Sequence, residues 1–180
     1  MPQNHIQQWG TFHITTNAKN NLPWCTWPGV PELLIDNLLM TRNLYGAELY
    51  AFCVLPDHMH IVLNPGQKGI SRFMHSFKRN SSKDVCNMFK RSGNRTRATV
   101  DNIVTRSRGS VTSANVDLYF TGWQNGFHDE RIRDDEQRSN AIVYVKHNAY
   151  RHGLTDDPNG WPWSSLKFQE YLDPLEVWFH

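Results

Sequence analysis

The hydrophobic and polar positions of the chain alternate between strand-like and helix-like patterns. Runs rich in β-branched and aromatic residues predict strands at residues 9–16, 48–54, 55–63 and 118–123. Apolar residues at helical spacing predict helices at residues 32–44, from about residue 69 onward, and at residues 134–152. The first six elements follow a βαββαβ order. We therefore expect an α+β fold of the ferredoxin-like type, an antiparallel sheet with two helices on one face.

Length and cysteine usage suggest a single domain from a reducing compartment. The chain has 180 residues and three cysteines that form no Cys-x-x-Cys pair. It contains no apolar run of roughly 18 residues, so we expect no membrane-spanning helix. We expect one cytoplasmic domain over residues 1–180, with a C-terminal tail at residues 153–180.

The net charge of +2 hides a basic block. Eleven of the nineteen Lys and Arg residues lie between Lys68 and Arg108, against only Asp84 and Asp101. This block ends in a polar segment, residues 92–115, which we interpret as a flexible loop. A polyanion such as DNA would suit the block, and an ordinary solvated surface would explain the charge equally well. The candidate DNA contacts in the preceding helix are Lys78, Arg79 and Lys83.

Two histidines lie two positions apart in the predicted strand at residues 55–63. Because strand side chains alternate, His58 and His60 share one face, while Met59, Ile61 and Leu63 share the other and are expected to be core. Two imidazoles on a rigid strand can share one metal ion. The same pair can also have a purely structural role.

The last predicted helix carries a second group of polar side chains. Tyr144, Asn148 and Arg151 follow at i, i+4 and i+7 on one face. A tyrosine near a metal can attack phosphorus, an amide oxygen is a ligand for Mg²⁺ or Mn²⁺, and a guanidinium can hold a phosphate. A half-buried aromatic and a helix-end asparagine would give the same spacing.

Several motifs resemble those of one protein family. Residues 56–63 resemble the metal motif of the HUH single-tyrosine transposases, and residues 144–154 resemble their tyrosine helix. Residues 123–129, 131–134 and 161–165 are similar to motifs of one branch, the REP-associated tyrosine transposases. These matches follow the family's order from about Phe12 to Ser165.

The resemblance implies an HUH endonuclease fold with a C-terminal tyrosine helix and an aromatic tail. It implies that His58, His60 and Asn148 bind a divalent metal, Mg²⁺ or Mn²⁺. Tyr144 would be the nucleophile of a transposase that cleaves and rejoins single-stranded DNA, leaving a 5′-phosphotyrosine and a free 3′-OH. The family's substrate is a DNA hairpin with a short single-stranded guide sequence. The resemblance also implies a protein of the bacterial cytoplasm or nucleoid, acting as a monomer or a homodimer.

The sequence departs from the family pattern at two positions, and two other functions remain open. Asn148-Ala149 stands where the family usually has Asn-Pro, which leaves open whether the helix kinks there, and Asp57 stands where Asn is common. One alternative is a domesticated protein that binds hairpin DNA without cutting it. Another is a metal phosphodiesterase that uses water, with Tyr144 structural. The intact Tyr144, His58 and His60 favour the transposase.

Overall fold

The computed structural model describes residues 8–91, 97–98 and 118–175. Its helices and strands, in chain order, are β1 (Phe12–Asn17), α1 (Val30–Tyr45), β2 (Glu48–Val54), β3 (His58–Asn64), α2 (Ile70–Arg91), β4 (Arg97–Ala98), β5 (Leu118–Tyr119), β6 (His128–Arg131), α3 (Asp135–Lys146) and α4 (Asn148–Arg151).

Four of the strands form an antiparallel sheet in the order β2-β3-β1-β6. This is the order of a ferredoxin-like fold, with β1 and β3 in the centre, and it confirms the predicted α+β class. The strand that carries the histidine pair is therefore an inner strand. It has Thr15 of β1 opposite His60 on one side and Cys53 of β2 opposite His60 on the other.

The predicted strand at residues 118–123 is wrong as the fourth strand of this sheet. Leu118–Tyr119 pairs instead with Arg97–Ala98 in a separate two-stranded sheet, and the edge position next to β1 belongs to β6. The residues of β6 are polar and largely exposed, so they carry no hydrophobic alternation that could predict them. The apolar residues Phe120 and Trp123, which led to this prediction, do not extend a strand. Their rings pack edge-on against the buried Trp24.

The sheet separates two hydrophobic clusters. Met59, Ile61 and Leu63 point toward α1 and α2 and belong to the larger cluster. Val62 points the other way, into a smaller cluster with residues of α3 such as Ile142 and Val145. The alternation predicted for β3 is confirmed, and it turns the histidine face of the sheet toward the helix of Tyr144.

The predicted helix at residues 134–152 is divided in two. Asp134 caps its start by accepting a hydrogen bond from the Gln137 backbone N–H at 2.7 Å, and Gly153 follows its end with a φ of 68°. Between these ends the backbone of His147 leaves the helical conformation, with φ −103° and ψ 14°, so α3 stops at Lys146 and α4 begins at Asn148. The helix thus breaks here without the proline that is usual in the family.

Most of the predicted loop at residues 92–115 lies outside the described residues. The described part of this segment is β4. Within the described part of the chain, no helix is both long and apolar enough to cross a membrane.

Candidate active site

Three histidine side chains meet on the face of the sheet that is covered by α3. Ring centroids are 4.9 Å apart for His58 and His60 on β3, and 5.2 Å apart for His60 and His13 on β1. A fourth histidine, His152 just after α4, lies 6.2 Å from His58. The predicted pair is thus the centre of a larger imidazole group.

His60 is buried and held from β1. Its Nδ1 lies 3.1 Å from His13 Nε2 and 3.0 Å from Thr15 Oγ1. Burial, together with the neighbouring His58, His13 and His152, lowers the pKa of His60 to about 3. Burial also lowers the pKa of His13. Both rings are therefore neutral near pH 7, the form in which an imidazole can bind a metal.

His58 has its own partner, a carboxylate. Its Nδ1 lies 2.6 Å from Asp57 Oδ1, and this hydrogen bond is the largest cause that lowers the pKa of Asp57. An ionised carboxylate only accepts, so His58 Nδ1 carries the hydrogen and Nε2 is the ring nitrogen left for a ligand. Asp57, the departure from the family pattern, thus orients His58 in the manner of the carboxylate partners of metal-binding histidines.

Tyr144 of α3 lies directly over this group. Its ring centroid is 5.7 Å from both the His60 and the His13 rings, in edge-to-face contact with each. The guanidinium carbon of Arg151 is 5.3 Å from the centre of the tyrosine ring. The structure therefore brings together four of the residues selected from the sequence, His58, His60, Tyr144 and Arg151.

Asn148 is completely buried, and neither its Oδ1 nor its Nδ2 has a hydrogen-bond partner among the described residues. A buried amide without partners is costly, and its oxygen is available to accept a ligand. The described residues contain no group of three His, Cys, Asp or Glu side chains placed to hold a metal. Two imidazoles and the amide oxygen of Asn148 are the donor set that could hold one, and it suits Mg²⁺ or Mn²⁺.

The aromatic tail, residues 161–165, forms hydrogen bonds both to the end of β2 and to the end of α3. Trp161 Nε1 donates a hydrogen bond to the Val54 carbonyl at 2.8 Å, and the Val54 N–H donates to the Trp163 carbonyl at 3.0 Å. Ser164 Oγ donates to the Lys146 carbonyl at 2.8 Å, at the last residue of α3. The motif at residues 161–165 thus supports the helix that carries Tyr144.

The predicted DNA contacts on α2 do not reach this site. Helix α2 packs on the opposite face of the sheet, where Arg79 and Lys83 are exposed. The Lys78 ammonium donates to the backbone carbonyls of Gln124 and Gly126, and burial lowers the pKa of this lysine to about 8. Lys78 therefore holds a loop, whereas Arg79 and Lys83 remain available on the surface.

Sequence reasoning missed two residues of the site, His13 and Thr15. The alternation of β1 places them on one face of that strand. That signal alone could not show that their face adjoins His60, because the pairing of β1 with β3 joins residues more than forty positions apart.

The fold and the site define an α+β protein with a histidine-rich sheet face covered by a tyrosine helix. Over residues 10–117 the sequence matches the family described as "Transposase IS200 like", and the chain belongs to this family. The matched region includes His58 and His60, while Tyr144 lies beyond it.

The resemblance to the REP-associated branch is also confirmed. A curated relative from Haemophilus influenzae, named as a REP-associated tyrosine transposase, is 27% identical over 132 residues, or 70% of this chain. The alignment spans 62% of that relative's length. A solved REP-associated tyrosine transposase bound to a REP hairpin shares the fold with a TM-score of 0.63 and 19% identity, covering 97% of this chain and 88% of that one.

Proposed function

We propose that this protein is a metal-dependent endonuclease and strand-transferase for single-stranded DNA, which cleaves hairpin-associated sites with Tyr144 as its nucleophile. The observation that supports this most is the packing of the Tyr144 ring against the His60 and His13 rings, each at 5.7 Å. Membership of a transposase family supports the same reaction class.

His58, His60 and Asn148 would hold Mg²⁺ or Mn²⁺, which supplies charge neutralisation at a non-bridging phosphoryl oxygen and at the leaving oxygen. The neutral imidazole of His60 and the buried amide of Asn148, which has no partner among the described residues, support this assignment. Arg151, exposed and next to the Tyr144 ring, would bind a phosphate of the incoming strand.

Tyr144 would attack the scissile phosphorus through Oη. A bond forms between Oη and phosphorus, the bond from phosphorus to the 3′-oxygen breaks, and the phenol proton is lost while the 3′-oxygen gains one. The products are a 5′-phosphotyrosine and a free 3′-OH, and the reverse reaction rejoins DNA. The His147 ring is directed to the tail, where its Nδ1 donates to the Pro158 carbonyl at 3.2 Å, and we do not propose it as the base.

The proposed substrate is a DNA hairpin with single-stranded flanks. The solved relative is bound to a REP hairpin, which supports a hairpin for this chain as well. The exposed Arg79 and Lys83 of α2 would contact the phosphate backbone on the far side of the sheet from the cleavage site.

The experiment uses hairpin oligonucleotides with a randomised single-stranded flank and a fluorescent label at the 3′ end. The strand downstream of the cut stays on the tyrosine, so in a denaturing gel the label should migrate with the protein. Tyr144→Phe keeps the ring but removes the attacking oxygen, and should abolish this adduct. Tyr150→Phe, an exposed tyrosine on α4, is the matched control and should leave the adduct intact.

Each other outcome identifies a different function. DNA binding by the wild-type protein without any adduct or cut would favour the alternative, a hairpin-binding protein without cleavage activity. If the wild type cleaves DNA without forming an adduct, and Tyr144→Phe still cleaves, the protein would be a phosphodiesterase that uses water.

A further inference from the structure

The Nδ1 atom of His60 has two hydrogen-bond partners on the neighbouring strand. Thr15 lies directly opposite His60 in the register of β1 and β3, and its Oγ1 is 3.0 Å from Nδ1. His13, two residues earlier on the same face, places Nε2 at 3.1 Å from the same atom. Both partners project from an inner strand of the sheet, where the backbone ladder fixes their positions.

The two contacts bear on which ring nitrogen of His60 carries the hydrogen. A neutral histidine carries one hydrogen, and the ring nitrogen without it is the one that can bind a metal. A threonine hydroxyl and a neutral imidazole can both accept a hydrogen bond, so the two partners can hold the hydrogen on His60 Nδ1. His58 reaches the same form through the Asp57 carboxylate at 2.6 Å. The two histidines thus have different partners with the same effect.

We propose that His13 and Thr15 are positioning residues that hold His60 in its Nδ1–H form and leave Nε2 as the ligand atom. This rests on the proposed metal site. Partners of this kind typically change metal affinity about 10–100-fold when removed. The pair on β1 would therefore act on metal affinity through the orientation of His60.

The first test reads the form of His60 directly. In the wild-type protein without metal, two-bond ¹H–¹⁵N correlation spectra of the histidine rings should show His60 with its hydrogen on Nδ1. His60→Gln identifies the signal by its loss. A His60 ring with its hydrogen on Nε2 would overturn the proposal without any variant of β1.

The second test measures Mn²⁺ affinity by calorimetry in the absence of DNA. The double variant His13→Leu, Thr15→Val removes both acceptors with side chains of similar size, and should weaken binding at least tenfold. His13→Gln retains an acceptor oxygen and should bind within about threefold of the wild type. His75→Leu is the matched control, since His75 is exposed on α2, on the opposite side of the sheet, and its loss should not affect binding.

The outcomes separate this inference from the proposed function. If the wild type does not bind Mn²⁺, or binds it equally well after His58→Ala, the metal site itself is wrong. If the wild type binds Mn²⁺ and His58→Ala abolishes this, yet the double variant binds normally, the proposal for His13 and Thr15 is wrong.

Discussion

Asn148 offers a test in which stability and function should change in opposite directions. Its side chain is completely buried and both polar atoms lack partners among the described residues. Asn148→Leu keeps the branched shape of the side chain and removes both polar atoms. We expect the metal-free variant to be more stable than the wild type while its affinity for Mn²⁺ falls.

The magnitude follows from the cost of a buried polar group without partners, which is about 1–3 kcal/mol. The unfolding free energy of the metal-free protein should increase by roughly this amount, less any cost of fitting the slightly larger leucine. In a protein of this size, each 1 kcal/mol corresponds to about 2–4 °C in the melting temperature. Metal at 100 times its Kd should stabilise the wild type by about 2.7 kcal/mol and the variant by much less.

The assay is urea denaturation followed by tryptophan fluorescence, first in EDTA and then in excess Mn²⁺. Asn37→Leu is the control, because this second buried asparagine donates hydrogen bonds to the Leu33 carbonyl at 2.9 Å and to Asp84 Oδ2 at 3.0 Å. Losing those bonds should destabilise the control variant in both conditions, by about 1–3 kcal/mol.

Two results would refute the reasoning on Asn148. A loss of about 1 kcal/mol or more in EDTA would mean that the amide is satisfied in the fold. An Mn²⁺ stabilisation equal in variant and wild type would mean that Asn148 is not a ligand.

The remaining predictions concern metal, DNA and the tail. The double variant His58→Ala, His60→Ala should fold but not cleave, and EDTA should stop cleavage by the wild type; full activity in EDTA would contradict a metal-dependent reaction. Hairpin or single-stranded DNA should bind more tightly than a blunt duplex, with an affinity that falls steeply with salt, and equal affinities in a salt titration would count against this. Ser164→Ala removes the hydroxyl that donates to the Lys146 carbonyl and should cost about 1–3 kcal/mol in chemical denaturation; an unchanged midpoint would show that the tail does not support the helix.

The sequence alone was sufficient for the elements with strong periodic patterns. The alternation at residues 58–63 predicted both the core face of β3 and the histidine face, whereas the shared face of Tyr144 and Arg151 was predicted for one continuous helix that the structure divides at His147. These patterns are local, because the period of a strand or helix decides which side chains point the same way. The fourth strand lacked such a pattern, since its four polar residues are recruited by backbone hydrogen bonds to β1.

Only the tertiary structure decided which faces meet. His13 and Thr15 come to His60 through the pairing of β1 with β3, and the break at His147 coincides with a hydrogen bond from Ser164, eighteen positions after Lys146. Contacts between residues far apart in the chain depend on register and packing, which no single segment encodes. For this protein, the sequence by itself determined the types of chemical groups and the faces that carry them, and the folded sheet determined the partners that orient them.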